Sequence, residues 1–279
     1  MPLHQLPLSR VAIIGGGKMG EAILAGLLHA RSGSAALLKT DNLVVVNTGL
    51  ERRAVLQSRY KVPCVERIDQ LEPCSLVILA VKPQVVPQVL PELANCPWVA
   101  RAYVLSIAAG ISTASIEAAL PRGVKVVRAM PNTPLTVGSG ITAVCAGSSA
   151  SSEDALAAQA LFEALGQAVV VDESQMDAVT AVSGSGPAYV AALIEAMVQA
   201  GEELGLESSV AESLATATVE GTAVLLRKTG QGATQTRLDV CSPGGTTLAA
   251  LEAMENQGFS RSIVAGVHAA AVRSKELSQ

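Results

Sequence analysis

The sequence predicts an α/β protein with an N-terminal Rossmann-type doubly wound sheet followed by an all-α helical dimerisation domain. Three observations predict it. Short continuous apolar runs alternate with helix-like stretches through the first half of the 279 residues; a glycine-rich turn stands directly after the first run; and no period-two pattern survives beyond Asp172. Continuous apolar strands separated by helices belong to parallel sheets covered on both faces.

In chain order, Val11 to Gly15 is the first apolar run, Glu21 to Ala30 has helical spacing, and Leu43 to Asn47 is the second run. Leu76 to Val81, Tyr103 to Ile107, Val124 to Met130 and Ile141 to Cys145 follow as strands, with Gln84 to Ala94 and Ser112 to Leu120 as helices between them. The helix Glu153 to Leu165 and a last β-like run, Ala168 to Asp172, close this half. From Ser174 onward everything reads as helix, which places a nucleotide-binding domain at residues 1–170 and a helical dimerisation and substrate domain at 171–279. Ala188 to Ala200 and Leu214 to Leu226 are apolar on more than one face. Helices apolar all round must be buried, so a second copy of the chain is expected to cover them.

Composition narrows the function. A net charge of −4 and a pI near 5.5 leave no electrostatic footprint for nucleic acid. Mean hydropathy is +0.40, yet the most apolar helical run carries Glu195 between Pro187 and Gly201 and reads as too short and interrupted for a membrane span. The first ten residues show no signal-peptide pattern, and the five cysteines are scattered without a CxxC pair or a histidine cluster. A cytoplasmic protein with reduced thiols and no metal site is expected.

Gly15, Gly17 and Gly20 form GxGxxG after a strand and at the start of a helix, the arrangement in which backbone N–H groups receive a dinucleotide pyrophosphate. Ile14, Lys18 and Met19 complete that loop. After the second apolar run, where a carboxylate would select NADH, the chain has Asn47 and Thr48, followed by Arg52 and Arg53. These groups can accept a 2′-phosphate, so NADPH is favoured, with NADH still possible; the bland alternative for the two arginines is a solvated helix start. The turns Ala80-Val81-Lys82-Pro83 and Ala108-Ala109 end two further strands and should face the cofactor, unless they are packing turns only.

Two motifs mark the helical half: Val182 to Tyr189, and Asp239 to Thr247. In the second, Pro243, Gly244 and Gly245 precede a helix whose free N–H groups, with the hydroxyls of Thr246 and Thr247, can seat a carboxylate without a basic side chain. Indeed no Lys, Arg or His occurs from Ala129 to Leu226. A reaction that needs little help with protons is implied. A β-hydroxyacid dehydrogenase on the same plan would need a group to take the hydroxyl proton, and residues 174 to 203 contain no lysine. A cofactor-binding scaffold without turnover is the non-enzyme alternative.

Taken together, Gly15 to Gly20, Ala80 to Pro83, Ala108 to Gly110, Met130-Pro131-Asn132-Thr133-Pro134, Ser183 to Tyr189 and Cys241 to Thr247 resemble the Δ1-pyrroline-5-carboxylate reductase family over essentially the whole chain. The resemblance implies a Rossmann domain, a helical domain interlocking with a second subunit in a homodimer, and higher assembly into a decamer. It implies cofactor contacts at Ile14 to Met19, Thr48, Ala80 to Pro83, Ala108 and Ala109, and substrate contacts at Glu173, Gly245, Thr246 and Thr247. Thr247 would be the catalytic hydroxyl at the ring nitrogen of a cyclic imine. Arg67 and Asp239 stand where some relatives have Asn, which leaves the contacts at those positions open.

Overall fold

The computed structural model describes residues 8–32, 35–36 and 38–277. Its strands are β1 (Val11–Ile14), β2 (Arg31–Ser32), β3 (Ala35–Ala36), β4 (Leu43–Val46), β5 (Cys64–Val65), β6 (Leu76–Leu79), β7 (Tyr103–Ser106), β8 (Lys125–Pro131), β9 (Ile141–Ala146) and β10 (Gln167–Val170). Eight of them form one sheet in the order β10-β9-β8-β7-β6-β1-β4-β5, while β2 and β3 make a separate hairpin. The helices of this half are α1 (Lys18–His29), α2 (Leu50–Tyr60), α3 (Val86–Ala94), α4 (Thr113–Ala119) and α5 (Ser152–Glu163).

Every side chain of β1 is buried, because the strand feeds both layers: Val11 and Ile13 pack with Leu24, Leu27 and Phe162, whereas Ala12 and Ile14 pack with Val86, Leu90 and Leu93. That two-sided burial is what the uninterrupted apolar run records. Six of the seven neighbouring pairs are parallel; β8 and β9 are antiparallel. The pattern of apolar runs predicts a parallel sheet, and the β8–β9 pair departs from it. The link from Pro131 to Ile141 holds only a 3-10 turn, Thr133–Val137, which is too short for the crossover that parallel pairing demands.

At the end of the sheet opposite the nucleotide turns, Asp154 is buried at 6% exposure and gathers hydrogen bonds from Tyr103 Oη, Lys125 and the N–H and hydroxyl of Ser151. Burial alone would raise its pKa, but the hydrogen bonds from Ser151, Tyr103 and Lys125 outweigh it, and the carboxyl sits below its usual 3.8. A depressed folded-state pKa contributes stability that is complete above the unfolded value and is lost as pH falls through the folded one. Asp154→Ala is therefore expected to cost roughly 1–3 kcal/mol at neutral pH. Urea denaturation should show that difference shrinking below about pH 4, the unfolded range for aspartate; a pH-independent gap would discard the ionic account.

Beyond β10 the chain enters α6 (Met176–Val179), a π turn at Thr180–Gly184, and then α7 (Gly186–Glu203), α8 (Ser208–Thr229), α9 (Ala233–Asp239), α10 (Thr246–Asn256) and α11 (Phe259–Leu277). Two compact units divide between Gly184 and Ser185, and the chain from Ala271 rejoins the first. The division falls later than the 170/171 boundary expected from pattern. Met176, 1% exposed, packs with Met130, Ala143 and Cys145 of the sheet, and Ser274 donates to Asp177 at 2.7 Å, so helical residues belong to the sheet unit.

Pro187 does not interrupt the long apolar helix. It occupies the first turn of α7, where its missing N–H costs nothing, and the helical run extends over 31 residues from Glu173 to Glu203, within which an 18-residue window reaches a mean hydropathy of 1.3. The run is longer than the pattern predicts, and it carries Glu173, Asp177, Glu195, Glu202 and Glu203. Between Ser185 and Ala270 the only buried apolar side chains are Ala211 and Ala215, while Leu204, Leu214, Val240 and Val264 are exposed. Ala211 lies against Gly201, where an added Cβ would come within 3.1 Å, so α7 and α8 pack closely through small residues. This helical unit has almost no core of its own.

Candidate active site

The turn after β1 is shaped by its glycines. Gly15 has φ +111°, and a Cβ there would lie 2.6 Å from the Ala80 carbonyl oxygen, so β1 and the Ala80 turn can approach only without a side chain. At Gly20 a Cβ would overlap the Gly15 carbonyl oxygen, which fixes how closely α1 sits under the turn. Gly17 differs. It is the N-cap of α1, no side chain caps that helix, and the space where its Cβ would project is open. First-turn N–H groups of Lys18, Met19 and Gly20 have no carbonyl partner within the helix, and with open space at Gly17 this helix start fits a pyrophosphate.

The rest of the groove follows from parallel strand ends. Gly16 N–H donates to Asn47 Oδ1 at 3.1 Å, tying the glycine turn to the end of β4. Ile14, Gly15, Asn47, Thr48, Arg67 and Val81 line one cavity of about 370 Å³, a size suited to a nucleoside half. Lys82 is exposed and precedes the 3-10 turn Pro83–Val85; Ala108 is buried, and Ala109 is half-buried beside Gly110 at φ +74°.

Arg52 and Arg53 do not present free guanidinium groups. Arg52 donates to the Gly16 carbonyl and pairs with Glu21, whose carboxylate also receives Arg59 and Tyr60; burial would raise the Glu21 pKa, but these partners bring it below its usual value. Arg53 donates to the carbonyls of Asn47 and Thr48, both at 2.7 Å, and pairs with Glu66 at 3.1 Å. Both arginines brace the nucleotide turns instead of standing as a solvated face. Arg53→Ala is expected to weaken NADPH and NADH binding by similar factors, which calorimetric titration of both nucleotides checks; a loss confined to NADPH would restore direct phosphate contact.

Glu173 opens the segment after β10. Its carboxylate accepts from the Thr113 N–H at 2.7 Å and the Thr113 hydroxyl, and lies 3.5 Å from Arg128. Both oxygens are thus engaged at the start of α4, just after the Ala108-Ala109 turn. Arg128 is 4% exposed, and sequence reasoning missed it together with Thr113. A signal existed: one arginine inside the apolar run Val124 to Met130, since a buried charge demands a partner. Across the β8–β9 pair from it, burial pushes the Cys145 thiol up to about 12, and it pushes the Cys74 thiol up to about 11, which disfavours the reactive thiolates.

In the helical unit, Gly244 has φ +65°, the Gly245 N–H donates to Ser242 O at 2.9 Å, and Gly245 is the N-cap of α10 with no side-chain cap. A Cβ at Gly245 would overlap Ser242 Oγ. The turn therefore leaves the N–H groups of Thr246 and Thr247 unpaired within the helix, with Thr246 exposed and Thr247 half-buried. Asp239 is held by Gln231 and Gln235, hydrogen bonds that lower its pKa.

A doubly wound sheet with an uncapped glycine turn, in a chain whose helix α10 also starts at an uncapped glycine, defines an NAD(P)-type oxidoreductase. Residues 173–277 match a family model described as pyrroline-5-carboxylate reductase dimerisation, and residues 10–110 one described as NADP oxidoreductase, coenzyme F420-dependent. The chain is 40% identical to pyrroline-5-carboxylate reductase of Mycobacterium tuberculosis, covering 97% of each chain, and 41% identical to that of Synechocystis, covering 97% and 98%. Among solved structures, the Coxiella burnetii pyrroline-5-carboxylate reductase superposes with a TM-score of 0.88 at 33% identity over 98% of this chain and 99% of the other. The Plasmodium falciparum enzyme with NADP bound gives 0.84 at 28% over 97% and 98%. The chain belongs to the pyrroline-5-carboxylate reductase family. It forms a homo-oligomer, and the dimerisation match covers the coreless helical unit, whose exposed apolar residues a second chain would bury.

Proposed function

We propose that the chain reduces 1-pyrroline-5-carboxylate to L-proline with NADPH, in the cytoplasm, as a homodimer that assembles further into a decamer. The observation that carries the chemistry is the Ser242 to Thr247 turn: an uncapped helix start with two threonine hydroxyls, in a chain without Lys, Arg or His from residue 129 to 226. Such a seat binds a carboxylate by N–H groups and offers a hydroxyl to a ring nitrogen, and offers no ionisable base.

The residues of the sheet unit hold the cofactor: Gly17 to Gly20 take the pyrophosphate, and the cavity at Asn47, Thr48 and Arg67 takes the adenosine end. Bound NADPH supplies the hydride that adds to the imine carbon. Thr246 and Thr247 N–H groups fix the substrate carboxylate, while the Thr247 hydroxyl accepts the hydrogen bond of the protonated ring nitrogen and orients the imine plane. A protonated imine already attracts hydride, so alignment is the main task, and positioning alone contributes about 7–11 kcal/mol in favourable cases. Glu173, with both oxygens held by Thr113, acts at the substrate side by fixing the Ala108 to Thr113 segment.

The test is NADPH oxidation with the five-membered imine acid beside its six-membered homologue and a β-hydroxyacid run in reverse. Turnover is expected with the five-membered ring and not with the hydroxyacid. Cofactor binding without turnover on either imine would leave only a scaffold.

A further inference from the structure

We propose that Arg67 reads the 2′-phosphate of the cofactor and that Asp69 holds its guanidinium parked when no phosphate is present. The proposal rests on the reading of the β4–β5 cavity as the adenosine site. Strands β4 and β5 pair in parallel with Val45 opposite Cys64 and Val46 opposite Val65. The turns that leave them, Asn47-Thr48 and Glu66-Arg67, therefore emerge side by side and line the same cavity. In this sheet geometry the ribose 2′ substituent lies at the end of the sheet strand that follows the phosphate turn and its helix, here β4, and the Arg67 turn adjoins it across the β4–β5 pair, so an arginine there can supply the phosphate's charge partner.

Three arginines stand near that edge, and their commitments differ. Arg52 and Arg53 are tied to backbone carbonyls of the nucleotide turns, and the Arg53 side chain is only 13% exposed; neither can swing without undoing the loops. Arg67 is 66% exposed and makes its pair with Asp69, which is 64% exposed, through Nε at 3.0 Å and Nη2 at 2.7 Å. A fork already aimed at two carboxylate oxygens matches a phosphate equally well. Exposed ion pairs are weak, so a doubly charged phosphate displaces the aspartate at little cost.

The cavity's other charges make the arginine necessary. Glu66 and Glu92 line the same space, and Glu66 is matched by Arg53. Without Arg67 the rim would repel a phosphate while leaving an unphosphorylated ribose untouched. The expected consequence is selective: Arg67 matters for NADP and not for NAD.

Calorimetric titration of NADP⁺, NAD⁺, 2′,5′-ADP and AMP into the full-length protein tests this. Arg67→Gln should weaken NADP⁺ and 2′,5′-ADP about 10- to 100-fold, the scale of a lost hydrogen-bonded charge, with NAD⁺ and AMP changed less than about twofold. Asp69→Asn should tighten NADP⁺ and leave NAD⁺ as it was. Equal losses for both nucleotides in Arg67→Gln, or no loss at all, would overturn the assignment of Arg67; an unchanged NADP⁺ affinity in Asp69→Asn would overturn the parked state. If the unmodified protein bound none of the four, the adenosine-site reading itself would fall, and the proposal with it. Because Arg67 is exposed, its variants should melt with the unmodified protein.

Discussion

Replacing Thr247 by alanine should lower kcat/KM for 1-pyrroline-5-carboxylate about 10- to 100-fold while leaving the NADPH dissociation constant unchanged. The magnitude is that of one hydrogen bond to a charged partner, about 1.5–3 kcal/mol. It should appear in kcat/KM because that ratio runs from the free imine to the transition state, and the hydroxyl orients the protonated imine on that path. Thr247 is half-buried at the first turn of α10, and the Gly245 N-cap leaves that turn's N–H groups open, so the variant keeps the carboxylate seat and loses only the hydroxyl. Thr247→Ser keeps the hydroxyl and should recover most of the rate. Steady-state kinetics with calorimetry separates the outcomes, and an unchanged kcat/KM in the alanine variant removes Thr247 from the mechanism.

The second large effect is a contrast within one loop. At Gly20 an added Cβ meets the Gly15 carbonyl and the Ala80 side chain, so Gly20→Ala must push α1 off the turn, costing about 1–3 kcal/mol of stability as overpacking does. NADPH binding should fall with it. At Gly17 the new methyl group meets nothing, and φ is −69°, so Gly17→Ala should melt with the parent protein. Yet the methyl group occupies the cradle over the uncapped helix start, and NADPH affinity should drop at least about tenfold, the scale of 1.4 kcal/mol. Thermal melts and nucleotide titrations on the two variants give the pattern; a Gly17→Ala protein that binds NADPH normally would move the pyrophosphate away from this turn.

The apolar runs of the sheet were legible because burial on both faces forces every residue of β1, β4 and β6 to be apolar, and that requirement is written residue by residue. β5 was not, since two residues, Cys64–Val65, carry no period. Nor was the antiparallel turn of β9, which depends on how few residues join it to β8. At the candidate site, the glycine turn and the Ser242 to Thr247 turn were readable because Gly15, Gly20, Gly244 and Gly245 stand where a side chain would collide or where φ is positive. The partners of Arg52, Arg53 and Glu173 were not, because Glu21, Glu66 and Thr113 lie 31, 13 and 60 residues from them along the chain.

By itself, then, the sequence determined the layer plan, the two glycine turns and the family, all of which rest on local patterns of apolarity and backbone freedom. Only the tertiary structure decided which arginines brace the nucleotide turns and which stands exposed, where the sheet unit ends, and that Pro187 lets the long helix run through. Charge pairing and packing join residues distant in the chain, and composition records that such charges exist without recording whom they meet.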